Sequence, residues 1–383
     1  MPYAEGRVYN DADAHLMEPA GWLAEYADAK TRELLKPLDF SKSGTMVDHA
    51  FKGKFDASHW DEVEIEKNFM FIKGWEALGA FDPDERVRAL DLLGFNRQVV
   101  FSSLAMSQFW GTFKQREHDP DLLYGGARAL NRAMVDFCKS DKRMIAAGFL
   151  PLDDARRAER EIDEGLKAGC GTFWIPAHPA GDKSPSHPDF DRVWGRLQEA
   201  NVPFMLHVGA GETPMPNEYR NNGRGPRRGF LGGGEDVDSK EFMMLHGSAE
   251  PFLSAMVLDG TFEQFPRLRG GVIELGALWV VPWLKRLDVA QNAFARTEPG
   301  LALPMKASDY VRRQLKFTPH PTEPAGWIIE QGGEELFLFS SDYPHIEGGR
   351  NPLKRFEESM AGISESAKDR FYASNFQELM GLQ

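Results

Sequence analysis

Five residues at well-spaced points of the chain could together do metal chemistry. Asp13 and His15 stand in Asp11-Ala-Asp-Ala-His15, and His207 ends Pro203-Phe-Met-Leu-His207. Glu274 sits in Gly271-Val-Ile-Glu274-Leu-Gly276, and Asp342 follows the apolar run Leu336-Phe-Leu-Phe-Ser-Ser341. The ligand set is oxygen and imidazole nitrogen without thiolates. It suits one divalent ion, Zn²⁺ first and Mn²⁺ or Fe²⁺ next, in a site that keeps a position open. Asp342 and Glu274 are read as proton-handling groups, because an acid within an apolar strand is costly unless it is paired or functional. A bland reading of Glu274 is a salt bridge to Arg286 on the following helix.

Further groups lie where a substrate would be held. His345 follows Asp342 by three residues and is read as catalytic. His178, His246 and His320 fall near strand ends or rim loops, and Glu18 follows the first ligand pair by one turn. The insertion Arg220 to Phe230 carries four arginines, Arg228 among them, that could clamp a carboxylate. Phe109, Trp110 and Trp174 could wall a pocket or belong to the core.

These residues can converge only if the strands that carry them are parallel neighbours. The apolar run 336–341 reads as a strand buried on both faces, which is the parallel-sheet pattern. Strands are also predicted at 7–11, 97–102, 144–151, 170–176, 203–209, 268–275 and 315–319, with helical segments between them. Eight such βα units fit an α/β fold, a distorted (β/α)8 TIM barrel with loop insertions, whose chemistry gathers at the carboxyl ends of the strands. The expected organisation is one barrel domain over 1–383 with insertions at about 30–80 and 212–245. A doubly wound sheet would want a Gly-rich phosphate turn after its first strand, and Asp-Ala-Asp-Ala-His stands there instead.

Composition narrows the partners. With 383 residues, 42% hydrophobic content and a net charge of −13, the chain has ample core and disfavours nucleic acid. Cys138 and Cys170 are its two cysteines, too few for a disulfide framework or a CxxC site, and read as core thiols of a reducing compartment. No stretch approaches the roughly 20 apolar residues of a membrane span. The expectation is a cytoplasmic protein that acts on a small molecule.

Taken together, these stretches resemble the amidohydrolase-related (amidohydrolase 2) family of metal-dependent TIM-barrel enzymes, which includes the aminocarboxymuconate-semialdehyde decarboxylases. The resemblance rests on Asp11-Ala-Asp-Ala-His15 with Glu18-Pro19, Leu206-His207, Gly260-Thr-Phe-Glu-Gln-Phe-Pro266 with Glu274-Leu-Gly276, Ser341-Asp-Tyr-Pro-His345 and Ala373-Ser-Asn375. It implies a distorted barrel, one divalent ion on Asp13, His15, His207 and Asp342, and a homodimer. The chain departs from the family twice. Many members have His-x-His where Asp13-Ala-His15 stands, and the decarboxylases have a histidine where Glu274 stands. A carboxylate at 274 suits water activation, so the expectation is a hydrolase of a carboxylated or aromatic substrate. The alternative is a non-oxidative decarboxylase, and a barrel that only binds a ligand ranks last.

Overall fold

The computed structural model describes residues 2–39, 69–110, 119–211, 215–224 and 239–382. Seven parallel strands follow one another in sheet order: β1 (Asn10–Leu16), β2 (Arg97–Ser102), β3 (Met144–Phe149), β4 (Thr172–Trp174), β5 (Phe204–His207), β6 (Gly270–Ile273) and β7 (Leu315–Phe317). The expected eighth strand is not regular. The segment 336–343 still bonds to both edges: Leu338 N–H donates to Phe317 O at 3.0 Å, and Ala12 N–H donates to Phe339 O at 3.1 Å. Parallel bridges Phe317–Phe337 and Ala14–Tyr343 close the ring. The unbroken apolar run buries both faces as expected, but the chain bends at Ser340–Asp342 to present the acid, and the ladder is interrupted there.

The principal helices are α1 (Pro83–Leu93), α2 (Pro120–Cys138), α3 (Ala155–Ala168), α4 (Asp191–Glu199), α5 (Ala249–Leu258), α6 (Val280–Phe294), α7 (Ala307–Gln314), α8 (Ala325–Gly332) and α9 (Pro352–Ser359). Their starts obey local chemistry. Asp82, Asp119 and Asp154 cap α1, α2 and α3 by accepting first-turn N–H groups, and Pro83 and Pro120 follow as proline does at a first helical position. The helical segment between β5 and β6 is broken: α5 stops at Leu258, and Gly260, at φ 81°, turns the chain into the short helix Thr261–Gln264. Glycine takes that left-handed conformation without a Cβ penalty.

The core lies in two clusters, between sheet and helices and inside the barrel. Trp194, Phe173, Phe204 and Leu253 belong to the first, and Phe101, Trp174, Met205 and Leu338 to the second. Cys138 and Cys170 are buried thiols, as composition suggested. Among the described residues, no helix is long and apolar enough to cross a membrane. The segments 40–68 and 225–238, including Arg228 of the arginine insertion, lie outside the described residues.

Candidate metal centre

Strand β1 carries the site because it is irregular. Its register against β2 slips between Asp11 and Ala14, so three steps on β1 match two on β2. This bulge falls at Asp13, and bulges re-aim side chains. Asp11, Asp13 and His15 are all buried, yet they do different things. Asp11 turns into a polar seam: Ser341 N–H and Ser341 Oγ donate to it, each at 2.7 Å, and Gln98 Nε2 donates at 2.8 Å. Asp13 and His15 turn to the rim.

At that rim His15 Nε2 lies 3.1 Å and His207 Nε2 3.2 Å from Asp13 Oδ1. Glu274 Oε2 is 3.5 Å from His207 Nε2, and Asp342 Oδ1 is 3.6 Å from His15 Nε2. His345 joins the group more closely than its expected substrate-side role required. Its Nδ1 is 3.0 Å from Asp342 Oδ1, and its ring stacks on that of His15 at 3.7 Å. Among the described residues two sets of three or more donors have ligand atoms within 4.8 Å of one another: Asp13, His15, His207, Glu274, and His15, Asp342, His345.

A divalent cation fits these donors on three grounds. Asp13 Oδ2, Asp342 Oδ1, His15 Nε2 and His345 Nδ1 are buried without a hydrogen-bond partner among the described residues, although their neighbours crowd them. Such atoms face a common point rather than each other. His207 Nδ1 lies 2.9 Å from Val208 O, so Nδ1–H donates and Nε2 presents its lone pair to the cluster. The site is also short of positive charge. Burial, then repulsion by Asp13, pushes Asp342 up to about 7. Burial, then His345, brings His15 down to about 4, and burial brings His345 to about 4, so both imidazoles are neutral at neutral pH. Burial alone would raise Asp13, but His207 and His15 outweigh it and hold Asp13 well below the usual carboxylate range. One carboxylate kept low and its neighbour raised is what two like charges in one site produce.

Asp342 and Glu274 share one further property. Their φ angles are 53° and 58°, a left-handed backbone that a non-glycine residue adopts at a cost. Each is held there. Asp342 N–H donates to Asp13 O at 2.9 Å, and Glu274 N–H donates to Thr318 Oγ1 at 2.9 Å. Gly348 packs against Asp342, where a Cβ would collide with Ser341 O and Asp342 Cβ.

The other expected site residues distribute around this centre. His246, His320 and Glu274 line one pocket of about 230 Å³ with Phe242, Leu278 and Trp279. His246 stacks on Trp279 at 5.2 Å, and burial lowers its pKa and that of His320. His178 stands on another side, stacked on Trp110 at 4.9 Å, with Nδ1 held by Pro179 O at 2.6 Å. Trp174 and Phe101 pack on His207 at 4.9 and 4.5 Å, so the aromatic wall touches the centre.

Two acids have partners that the sequence did not single out. Arg286 pairs with Glu250 and not with Glu274. Glu18 is not free to meet a substrate: its oxygens accept Ser102 Oγ (2.5 Å), Ser103 N–H (2.9 Å) and Leu104 N–H (2.9 Å). It fixes the loop after β2, whose Ser103 Oγ in turn meets His345 Nε2 at 2.7 Å.

Residues that carry no motif complete the centre. Arg86 of α1 is fully buried. Its Nε donates to Gly79 O at 2.6 Å, its other nitrogens to Gln98 Oε1 (3.2 Å) and to His15 O, and its guanidinium lies 5.4 Å from the Tyr343 ring centre. Arg86, Gln98, Asp11 and Ser341 thus form one buried polar chain from α1 to the residue before Asp342. The only sign of it in the sequence was Asp11 inside the Asp-x-Asp-x-His motif.

Residues 11–381 match the sequence pattern of the Amidohydrolase family. The chain belongs to that family, and the barrel with its rim cluster is the form the family takes here. Among characterised proteins it is similar to the gamma-resorcylate decarboxylase of Rhizobium sp., 24% identical over 229 residues, which cover 57% of this chain and 65% of that protein. The alignment therefore spans a little under two thirds of that relative. Solved structures share the fold over nearly the whole length. An amidohydrolase from Mycobacterium avium subsp. paratuberculosis superposes with a TM-score of 0.73 at 20% identity, covering 99% of both chains. The 5-carboxyvanillate decarboxylase of Novosphingobium aromaticivorans, complexed with manganese and 4-hydroxy-3-methoxy-5-nitrobenzoic acid, superposes with a TM-score of 0.66 at 19% identity, covering 98% of this chain and 97% of that one.

Proposed function

We propose that this protein is a metal-dependent carboxy-lyase that removes carbon dioxide from a carboxylated aromatic acid. The observation that carries the reading is the buried rim cluster, in which Asp13, His15, His207 and Asp342 bring neighbouring carboxylate and imidazole donors within 3.1–3.6 Å of one another. Similarity to decarboxylases moves the weight from hydrolysis, the first expectation from sequence, to the alternative.

Asp13, His15, His207 and Asp342 would hold the ion, with His345 or Glu274 within reach as a further ligand. A divalent ion bound there would supply a Lewis acid that fixes the carboxylate and an adjacent phenolic oxygen of the substrate. Manganese, found with the 5-carboxyvanillate decarboxylase, is the ion to load first and zinc the second. The remaining work falls to side chains. Decarboxylation of an aryl acid needs a proton on the ring carbon that bears the carboxylate. The C–C bond then breaks, its electron pair restores the aromatic ring, and carbon dioxide leaves. Asp342 or Glu274 gives that proton and regains one from solvent. Trp174, Phe101 and Trp110 would pack the ring and keep water out.

Hydrolysis remains the second reading, and Glu274 favours it. A carboxylate 3.5 Å from His207 Nε2 is placed to take a proton from water. The test is a product assay on the manganese-loaded protein with 2,6-dihydroxybenzoate and 5-carboxyvanillate. Carbon dioxide release, with the hydrogen-substituted arene as the only other product, is expected. Turnover of an ester or amide panel with no carbon dioxide from either acid would overturn the proposal in favour of the hydrolase.

A further inference from the structure

The loop after Asp342, the start of α9 and residues 71–76 line a groove of about 720 Å³. Its charged lining is Lys73, Arg350, Lys354 and Arg355 against Glu76 and Glu358. This is a positive concavity on a chain whose net charge is −13. Several arginines elsewhere are neutralised: Arg7, Arg143, Arg192, Arg196 and Arg312 each meet a carboxylate at 2.6–2.8 Å. Among the described residues neither Arg350 nor Arg355 forms an ion pair. Arg350 lies over the Phe71 ring at 5.6 Å, which leaves the edge of its guanidinium for a ligand. Lys354 has only a long, exposed contact to Glu358 at 3.7 Å. Lys73 Nζ is buried without a hydrogen-bond partner among the described residues, 5.4 Å from the Tyr343 ring centre and within electrostatic reach of Asp342 and Glu347.

Unpaired guanidiniums across a concave surface focus field and match the geometry of oxyanions. A single negative charge would engage only part of this lining. We propose that the groove binds an oxyanion with more than one negative charge, a polyphosphate or polycarboxylate, gripped by Arg350 and Arg355 with Lys73 at its floor. The anion has two possible sources: a free polyanion that binds beside the rim, or a second acid group of a substrate whose reacting part lies at the cluster.

Calorimetry on the metal-loaded full chain tests this, with inorganic pyrophosphate and isophthalate as probes. The variants are the double reversal Arg350→Glu/Arg355→Glu and, as a control at the cluster, His207→Ala. Arg350 and Arg355 are exposed, so an unchanged melting temperature is expected for the reversal. Pyrophosphate should bind about tenfold or more weaker to the reversal, as lost charge-assisted bonds require, and equally well to His207→Ala. Isophthalate weakened by both variants assigns the anion to the substrate, whereas isophthalate indifferent to the reversal assigns it to a free polyanion. Pyrophosphate affinity that survives the reversal, or that is lost only in His207→Ala, would place the anion on the cluster and overturn the proposal.

Discussion

Asp342 and Glu274 approach the same cluster from opposite sides, with the same strained backbone, and the chain holds them in different ways. Behind Asp342 runs a buried polar chain from Arg86 through Gln98 and Asp11 to Ser341, in which each partner satisfies the next. Around Glu274 one hydroxyl, Thr318 Oγ1, fixes the backbone. The turn beyond it hangs on Glu323, which accepts N–H groups of Ala277 and Leu278 at 2.9 Å each and of His320 at 2.7 Å. The surfaces differ accordingly: a basic groove lies beside Asp342, and an apolar, cation-free pocket beside Glu274. A buried hydrogen-bonded network cannot be repacked piecemeal, because each unmet partner is costly. A pocket wall of leucine and tryptophan can change with little cost. The Asp342 side is therefore the more firmly fixed of the two, and the wall beside Glu274 is the one that can vary.

The largest break expected is Asp342→Ala. Metal affinity should fall by more than about 100-fold, beyond the 10–100-fold typical of residues that only orient a ligand. Mass spectrometry of the desalted protein should find one equivalent of divalent ion in the wild type and almost none in the variant. Glu274→Gln should separate the two sides. It is expected to keep its ion and lose about 10²- to 10⁴-fold in turnover, the usual worth of a positioned acid or base. Loss of the ion together with turnover would make Glu274 a ligand and erase the contrast.

Smaller effects test the supporting chain. Arg86→Leu leaves Gly79 O, His15 O and Gln98 Oε1 without their donor, and should destabilise the fold by about 3 kcal/mol, measured by urea titration. Gln98→Leu should cost less stability but weaken metal binding by about 10-fold or more, since Asp11 loses a partner and Ser341 loosens. The mildest change is Trp279→Ala on the pocket side. Metal content should hold and the melting temperature should fall by a few degrees as the contacts with Trp283 and Phe317 are lost, while KM for an aromatic acid rises about tenfold with little change in kcat. A loss of metal in that variant would show that the two sides are mechanically one.

The parts of the site that were legible in the sequence lie at strand ends. His207 and Asp342 close apolar runs, and the Asp13-x-His15 spacing marks a rim pair, so periodicity alone located them. The sequence set His345 apart from His178, His246 and His320 only by its nearness to Asp342, because a loop histidine carries no periodic signal. Folding stacked His345 on His15, turned His246 and His320 to the Glu274 pocket, and left His178 against Trp110. Glu18 looked available, and three N–H and O–H donors from the end of β2 claimed it.

What the sequence determined by itself was the order of βα units and the chemical types at the rim. These depend on side-chain spacing and on contacts within a few residues. Tertiary structure alone decided the bulge at Asp13, the irregular closing segment 336–343, the left-handed turns at Glu274 and Asp342, and the burial of Arg86. Each depends on groups tens to hundreds of positions apart, such as Asp11 with Ser341 or Arg86 with His15, whose hydrogen bonds exist only once the barrel has closed.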